Sequence, residues 1–441
     1  MLCGSAGIFT KRNGMPLNGV RQIWRVALVA YGVLSLSSMA GMSIGSGLFA
    51  CATLWFLVVA WQKGGRETLR EVFSTPYSWF SLALFLACLI SLLAAIAFPV
   101  VGTQEGPKLL SLKKFHFFLI PPLVAAGFLG TSDRLEEHPF WKGWALTGAI
   151  MGIVAMLQFF GRDLFPEEWL NSRFFRSAGT TGRFHGQGLM FFHLSFASCM
   201  CFVASTTWAR VVFPRRMDSM RTRVFYGTAA ALASLGVFFS YSRISFFALA
   251  IVVLALGFLR KPVWGLIVFL FIAIAGIGVW QSSDSFRQRF TQNQSGNLQR
   301  IWMWESAWAM FEMRPLTGVG FSRTGEISPW IMKNKIKDYA GFTSHAHNNF
   351  LDMLGATGAI GFSAFLLWWG FLFWVLAKAF QRAPPEERWL PVAAFVSFLS
   401  FHINGITQVN FWDAKSEHTL MIWVGVVLAM WIREKRKAAA S

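Results

Sequence analysis

Apolar residues along this chain fall in long runs, among them Trp79 to Val101, Gly188 to Ala204 and Phe362 to Ala377, and not in stripes three and four residues apart. Runs of that length match a bilayer core, which a helix of about 20 residues crosses. The pattern predicts an all-α polytopic membrane protein with about 12 transmembrane helices. They are placed near residues 24–40, 44–61, 77–101, 115–130, 143–160, 187–206, 224–240, 244–259, 263–280, 351–378, 390–405 and 418–432. Short polar breaks at Gly41 to Ser43 and at Tyr241 to Arg243 read as tight hairpins, or in the second case as a kink in one long helix. One hydrophilic interruption is long, from Gln281 to Phe350. It divides the chain into residues 1–280 with the first nine spans, a loop over 281–350, and residues 351–441 with three spans and a basic tail. The loop is where chemistry is expected.

Composition strengthens the membrane reading. Of 441 residues, 55% are hydrophobic and 14% charged, more apolar surface than a soluble domain of this length buries against itself. The formal charge of +19 would suit nucleic acid, but the basic residues sit between apolar runs and not on a soluble surface. Topology and anionic head groups account for them better, so membrane lipids and not nucleic acid are the expected partners. The amino-terminal Lys11, Arg12, Arg21 and Arg25 precede an apolar run without a cleavage-site pattern and read as a cytoplasmic arm. With that end inside, the basic clusters at Lys63 to Arg70, Arg210 to Arg223, Arg260 to Lys261 and Arg433 to Lys437 all fall on the cytoplasmic side. An even number of spans returns the basic tail there as well.

Several functions are excluded. The five cysteines lie near the amino terminus or inside apolar runs, and Cys199 with Cys201 lacks metal-site spacing. The outer side carries no Asp-x-Asp pair and no His/Asp/Glu cluster, and the chain has no Walker loop or dinucleotide fingerprint. Neither a metal nor a cofactor is expected, and ATP-driven transport is not indicated.

Arginines that lie outside oppose the topology rule, so another demand must hold them there. They are Arg162, Arg173, Arg176 and Arg183 before the sixth span, Arg243 at a hairpin, and Arg287, Arg289, Arg300, Arg314 and Arg323 in the long loop. The stretch Gln299 to Phe311 reads as a helix stopped by Arg314-Pro315 and the turn Thr317-Gly318-Val319-Gly320, with Trp304, Trp308 and Phe311 on one face. Such a face suits the membrane interface. Arg300 stands in its first turn, where the helix dipole disfavours a cation unless an anion is bound or a lipid phosphate is near. His345 and His347 stand two apart just before the tenth span, which in an extended segment points them to opposite sides. A neutral imidazole there can take a proton near pH 7, or serve only as an interfacial polar group. Ser344 or Asn348 is placed to cap the following helix. Guanidinium groups grip phosphate oxygens bidentately, so an arginine pair can neutralise a diphosphate, and a lipid-linked diphosphate is the natural ligand.

In order and spacing these residues resemble the bacterial O-antigen ligase and polymerase family of membrane glycosyltransferases. The resemblance rests on Ser242-Arg243 opening a span and on Arg300 followed by Trp304 and Pro315-Leu316-Thr317-Gly318-Val319-Gly320. It continues with His345-Ala346-His347-Asn348-Asn349-Phe350-Leu351, Gly358 and Gly361, and with Asn404-Gly405 through Asn410-Phe411-Trp412-Asp413, over roughly residues 176–432. It implies a GT-C-like enzyme of the bacterial inner membrane, with its active site facing the periplasm. The donor would be an undecaprenyl-diphosphate-linked glycan. In a ligase the glycan passes to a sugar hydroxyl of lipid A core, with inversion and without metal, in lipopolysaccharide biosynthesis. Arg243 and Arg300 would hold the diphosphate, and His347 would act as general base on the acceptor hydroxyl or orient it. Arg183, His345, Asn348 and Trp304 would bind diphosphate or acceptor. One dominant loop and a short tail favour the ligase over a repeat-unit polymerase. A flippase of lipid-linked glycans is a third reading, which convergence of Arg243, Arg300 and His347 at the membrane surface would oppose and a central pathway would support.

Overall fold

The protein is described by a computed structural model over residues 17–62, 66–100, 106–131, 134–178, 182–282, 284, 287, 294–336 and 344–440. Cys3, Lys11, Arg12, Lys63, Arg289 and part of the long loop lie outside the described residues. In chain order the longer helices are α1 (Leu17–Ser37), α2 (Met39–Gln62), α3 (Arg66–Phe73), α4 (Pro76–Ala97), α5 (Ile120–Thr131) and α6 (Phe140–Phe159). After two single turns, α7 (Gly161–Leu164) and α8 (Glu167–Leu170), come α9 (His193–Val212), α10 (Met220–Phe239), α11 (Arg243–Arg260) and α12 (Pro262–Ser282). The long loop contributes α13 (Gln294–Met313) and α14 (Thr324–Lys335), and the chain closes with α15 (Asn349–Arg382), α16 (Trp389–Asn404) and α17 (Ala414–Ala440). A 3-10 stretch, Leu109–Leu119, leads into α5.

The protein is therefore all-α and polytopic, as the apolar runs predict. Among the described residues, eight helical segments are long and apolar enough to cross a bilayer, and Trp389–Asn404 is a shorter apolar helix. Each of the predicted span positions falls on a helix, with three local differences. The first break lies at Ser38, not at Gly41 to Ser43, because the Ser38 hydroxyl caps α2 by accepting the Gly41 N–H at 2.9 Å. The second is a true break: α10 stops at Phe239, and Tyr241 takes a left-handed φ of 60°. The span predicted from residue 187 starts at His193, because 187–192 is held as a loop. There Gln187 bonds to Gln158 and to the Arg173 carbonyl, and Gly188 and Phe191 have positive φ.

At the centre stands α17, whose residues Leu420 to Val424 are wholly buried. It packs on α5 and α9, and α9 packs in turn on α10 and α16. By contrast α12 buries only Gly265 and presents apolar side chains such as Phe271 and Ile274 outward, as a lipid-facing helix must. The basic clusters gather at one end of the bundle through shared acidic partners. Arg433 forks onto Glu136 at 2.7 and 2.9 Å and reaches Glu387 at 3.0 Å, while Arg436 meets Glu71 at 2.7 Å. Arg215 pairs with the adjoining Glu137, and Arg210 with Asp218. Because α16 runs from the Glu387 end to Asn404, residues near Asn404 lie at the opposite end.

Candidate active site

The geometry at that opposite end starts from a glycine. Gly358 interrupts α15 with φ 63° and ψ −165°, which opens the helical hydrogen-bond ladder. Residues Pro315 to Gly320 take up the freed groups. The N–H groups of Ala359 and Ile360 donate to the carbonyls of Pro315 and Leu316 at 2.8 and 3.2 Å. Those of Val319 and Gly320 donate to Gly355 and Ala356 at 3.1 and 2.9 Å. Broken helices survive at membrane depth only when the backbone is satisfied in this way. A Cβ on Gly358 would lie 2.4 Å from the Leu316 carbonyl carbon, and one on Gly318 2.4 Å from that of Ala356, so both glycines are required. The turn thereby clamps α13 against the outer half of α15.

Helix α13 starts at Gln294, earlier than Gln299, and buries Met303, Ala307 and Met310. The aromatic face points the other way. Trp308 is 48% exposed, donates its indole N–H to Glu312 at 2.7 Å and lies 5.4 Å from the Phe311 ring, while Trp304 is half-buried. An outward aromatic stripe is what an interfacial helix needs. The helix α14 that follows has no counterpart in the periodicity, since Pro329 lies inside it and its mean hydropathy is near neutral.

The histidine segment differs from its expected shape. His347 has a left-handed φ of 46°, and its N–H donates to His345 Nδ1 at 3.3 Å. The segment is a turn, and the two rings lie together at 4.4 Å instead of on opposite sides. Asn348, not Ser344, caps α15 by accepting the N–H groups of Phe350 and Leu351 at 2.9 and 3.0 Å. Burial, together with His345 and the Arg300 guanidinium, pushes the His347 imidazole down to about 4. Helix α13 thus brings the Arg300 cation close enough to act on His347.

Arg243 reaches the same end through a chain of polar contacts. The Ser242 and Ser245 hydroxyls are 2.8 Å apart, and Ser245 donates to Asn404 Oδ1 at 2.6 Å. Next to Asn404, the Gly405 carbonyl accepts the Asn349 N–H at 2.8 Å. The Asn349 amide bonds Asn410, and its Oδ1 accepts the N–H groups of Asn410 and Phe411 at 3.0 and 3.1 Å. All three asparagines are at most 1% exposed. Fully satisfied buried amides of this kind hold a unique geometry. Asn349 and Ser245 were not singled out as functional from the sequence; a polar residue among apolar ones at each helix end was the available signal.

Arg183 has a different environment. It pairs with Asp163 and lies over the Phe159 and Phe160 rings at 5.7 and 5.4 Å. Its loop touches the end of α10 through Gly186 N–H to Phe239 carbonyl at 2.8 Å and His185 Nδ1 to Ser240 carbonyl at 2.9 Å. A second imidazole pair, His185 and His193 stacked at 3.9 Å, stands there as well. Among the described residues no group of three or more His, Cys, Asp or Glu side chains is assembled to hold a metal ion.

With Arg243, Arg300 and His347 placed at one end of the bundle, the chain can be compared with known families. Residues 228–366 match the O-antigen ligase family. The matched stretch runs from α10 through the kink of α15, so it contains Arg243, Arg300, Trp304, His345, His347, Asn348, the Pro315 to Gly320 turn and Gly358. It is narrower than the resemblance over 176–432 and leaves out Arg183 and the Asn404 to Asp413 segment. No curated protein matches the chain. That match supports a ligase- or polymerase-type role in O-antigen and lipopolysaccharide biosynthesis and a membrane enzyme of glycosyltransferase-like kind, and the apolar helices agree with a multi-pass membrane protein.

Proposed function

We propose that this O-antigen ligase domain transfers glycan from undecaprenyl diphosphate to a sugar hydroxyl of lipid A core at the periplasmic face of the inner membrane. The orientation is supported by the ion-paired basic clusters gathered at the end away from Arg243 and His347, as the positive-inside bias requires of a cytoplasmic end. Residues 1–280 and 351–441 then carry the spans, and 281–350 the periplasmic loop. Arg243 and Arg300 hold the diphosphate and stabilise the charge that grows on it. The acceptor oxygen forms a bond to the anomeric carbon from the face opposite the diphosphate. The bond from that carbon to the diphosphate oxygen breaks with its electron pair, so the configuration inverts. The hydroxyl proton passes to His347 Nδ1 or Nε2, with no metal in the step.

The observation that carries this reading is His347 half-buried in its turn against His345, at the end of the bundle where Arg243 opens α11 and within the field of Arg300. An imidazole at about 4 is by itself a weak base. A bound diphosphate compensates the Arg300 charge, so the donor itself raises the basicity of His347 when it arrives. In this reading His345, Asn348, Trp304 and Arg183 serve acceptor and diphosphate binding. Purified protein given undecaprenyl-diphosphate-linked glycan and lipid A core, without added metal, should form the joined product, and His347→Ala should abolish it. Full activity of that variant would remove His347 from the chemistry. Joining of glycan to a second donor molecule in place of lipid A core would make the domain a polymerase.

A further inference from the structure

A cleft runs down the lipid-facing side of the bundle between α4 and the inner half of α15. Its inner part is an open depression of about 530 Å³ lined by Phe80, Ala87, Ile90, Ile360 and Leu367. A second part of about 330 Å³, lined by Ala94, Phe98, Leu316 and Arg314, follows one turn further along α4. The two parts abut, because Ile360 in the first is hydrogen-bonded to Leu316 in the second at 3.2 Å. From Phe80 to Phe98 the cleft covers about 27 Å of helix, close to the thickness of a bilayer's hydrocarbon core. Its wall is apolar and outward-facing: Ile90 is 46% exposed, Leu367 60% and Phe98 70%.

At the outer mouth the chemistry changes. Arg314 donates from Nη2 to the Phe98 carbonyl, while its Nη1 is out of water and has no hydrogen-bond partner. No acidic side chain pairs with Arg314 among the described residues, and the cation nearest in effect is another arginine, Arg323. The rest of the Arg314 side chain is half-exposed at the mouth, where a guanidinium can take an anion.

Arg314 is also in the wrong place for the leaving group. It follows α13, fourteen residues after Arg300, which is about 21 Å along a straight helix. In the proposed reaction the donor's diphosphate is bonded directly to the reacting anomeric carbon, so it must sit at Arg300 and His347. A phosphate held at Arg314 therefore belongs to a lipid whose phosphate survives the reaction, with its sugars extending to the site. We propose, resting on the ligase reading, that this cleft is the docking site of the acceptor glycolipid, a hydrocarbon chain lying along α4 and an anchor phosphate bound by Arg314.

The test uses the full chain in nanodiscs with two variants, Arg314→Gln at the mouth and Ile360→Trp, which fills the cleft from its lipid-exposed wall. Steady-state transfer should show KM for lipid A core raised about tenfold or more in each, with the donor KM and the kcat at saturating acceptor unchanged. Direct binding of lipid A core, measured by native mass spectrometry, should fall in parallel. A raised donor KM, unaltered acceptor KM in both variants, or equal displacement of lipid A core by phosphatidylglycerol would each overturn the assignment. If wild-type protein transfers nothing to lipid A core, the ligase reading fails. Binding of lipid A core that depends on Arg314 then still decides whether the cleft holds such a lipid.

Discussion

Replacing Asn349 by alanine removes three hydrogen bonds at once from a side chain that is 1% exposed. The losses strand the Asn410 Oδ1 and the N–H groups of Asn410 and Phe411 in a region without water. Each side-chain hydrogen bond in a membrane protein contributes about 0.6 kcal/mol on average, which sets a lower bound near 2 kcal/mol for three. An unsatisfied buried group costs about 1–3 kcal/mol in a soluble interior, which sets about 6 kcal/mol at mid-range. The site lies where helices end, so a loss of about 3–4 kcal/mol is expected, a drop in Tm of about 4 °C for a chain of this size. Function should fall further than stability, because Asn349 is the joint between the His347 turn, the end of α16 at Gly405 and the segment after Asn410. Thermal unfolding of detergent-purified protein, followed by tryptophan fluorescence, and glycan transfer below the melting range would measure both. Asn334→Ala is the control: its exposed amide bonds only the Trp330 carbonyl four residues back, at 2.7 Å. Asn349→Ala with wild-type Tm and wild-type transfer would refute the view that this asparagine network sets the site.

The pH dependence follows from His347. Its folded value of about 4 lies below the ordinary 6.5, so folding favours the neutral ring, and the stability it contributes is complete above pH 6.5 and lost as pH falls toward 4. The profile of kcat/KM, which reports the free enzyme, should show no break near 6.5 and an acid limb near 4. His345→Ala should move that limb upward while leaving it below 6.5, since burial is the larger cause; a downward move would contradict the assignment. Gly358→Ala should abolish folded, active protein, because the new methyl would meet the Leu316 and Gly318 backbone at 2.4 and 2.6 Å with φ at 63°. Gly370→Ala in the same helix meets nothing within 4 Å and should leave Tm unchanged or slightly higher, measured side by side.

The apolar runs by themselves determined that the chain is a helical membrane protein, because lipid forces every spanning backbone to satisfy its own hydrogen bonds, and a helix does so within one segment. Local chemistry was equally legible at the end of α13, where Arg314-Pro315 stops the helix, and Arg243, Arg300 and His347 stood out as candidates by residue type and position. Boundaries that depend on one hydroxyl or amide, such as the start of α2 at Ser38 and the loop before His193, were decided by contacts that the periodicity does not record. Tertiary structure alone decided three further matters. It folded His345 and His347 into a turn with adjacent rings, because a left-handed residue reverses the alternation that an extended segment would impose. It docked the Pro315 to Gly320 turn onto the kink of α15, so that two glycines separated by forty residues require each other. It also joined the ends of α11, α15 and α16 through Asn349, Asn404 and Asn410, since an amide buried at the end of a membrane helix must find its partner on another segment.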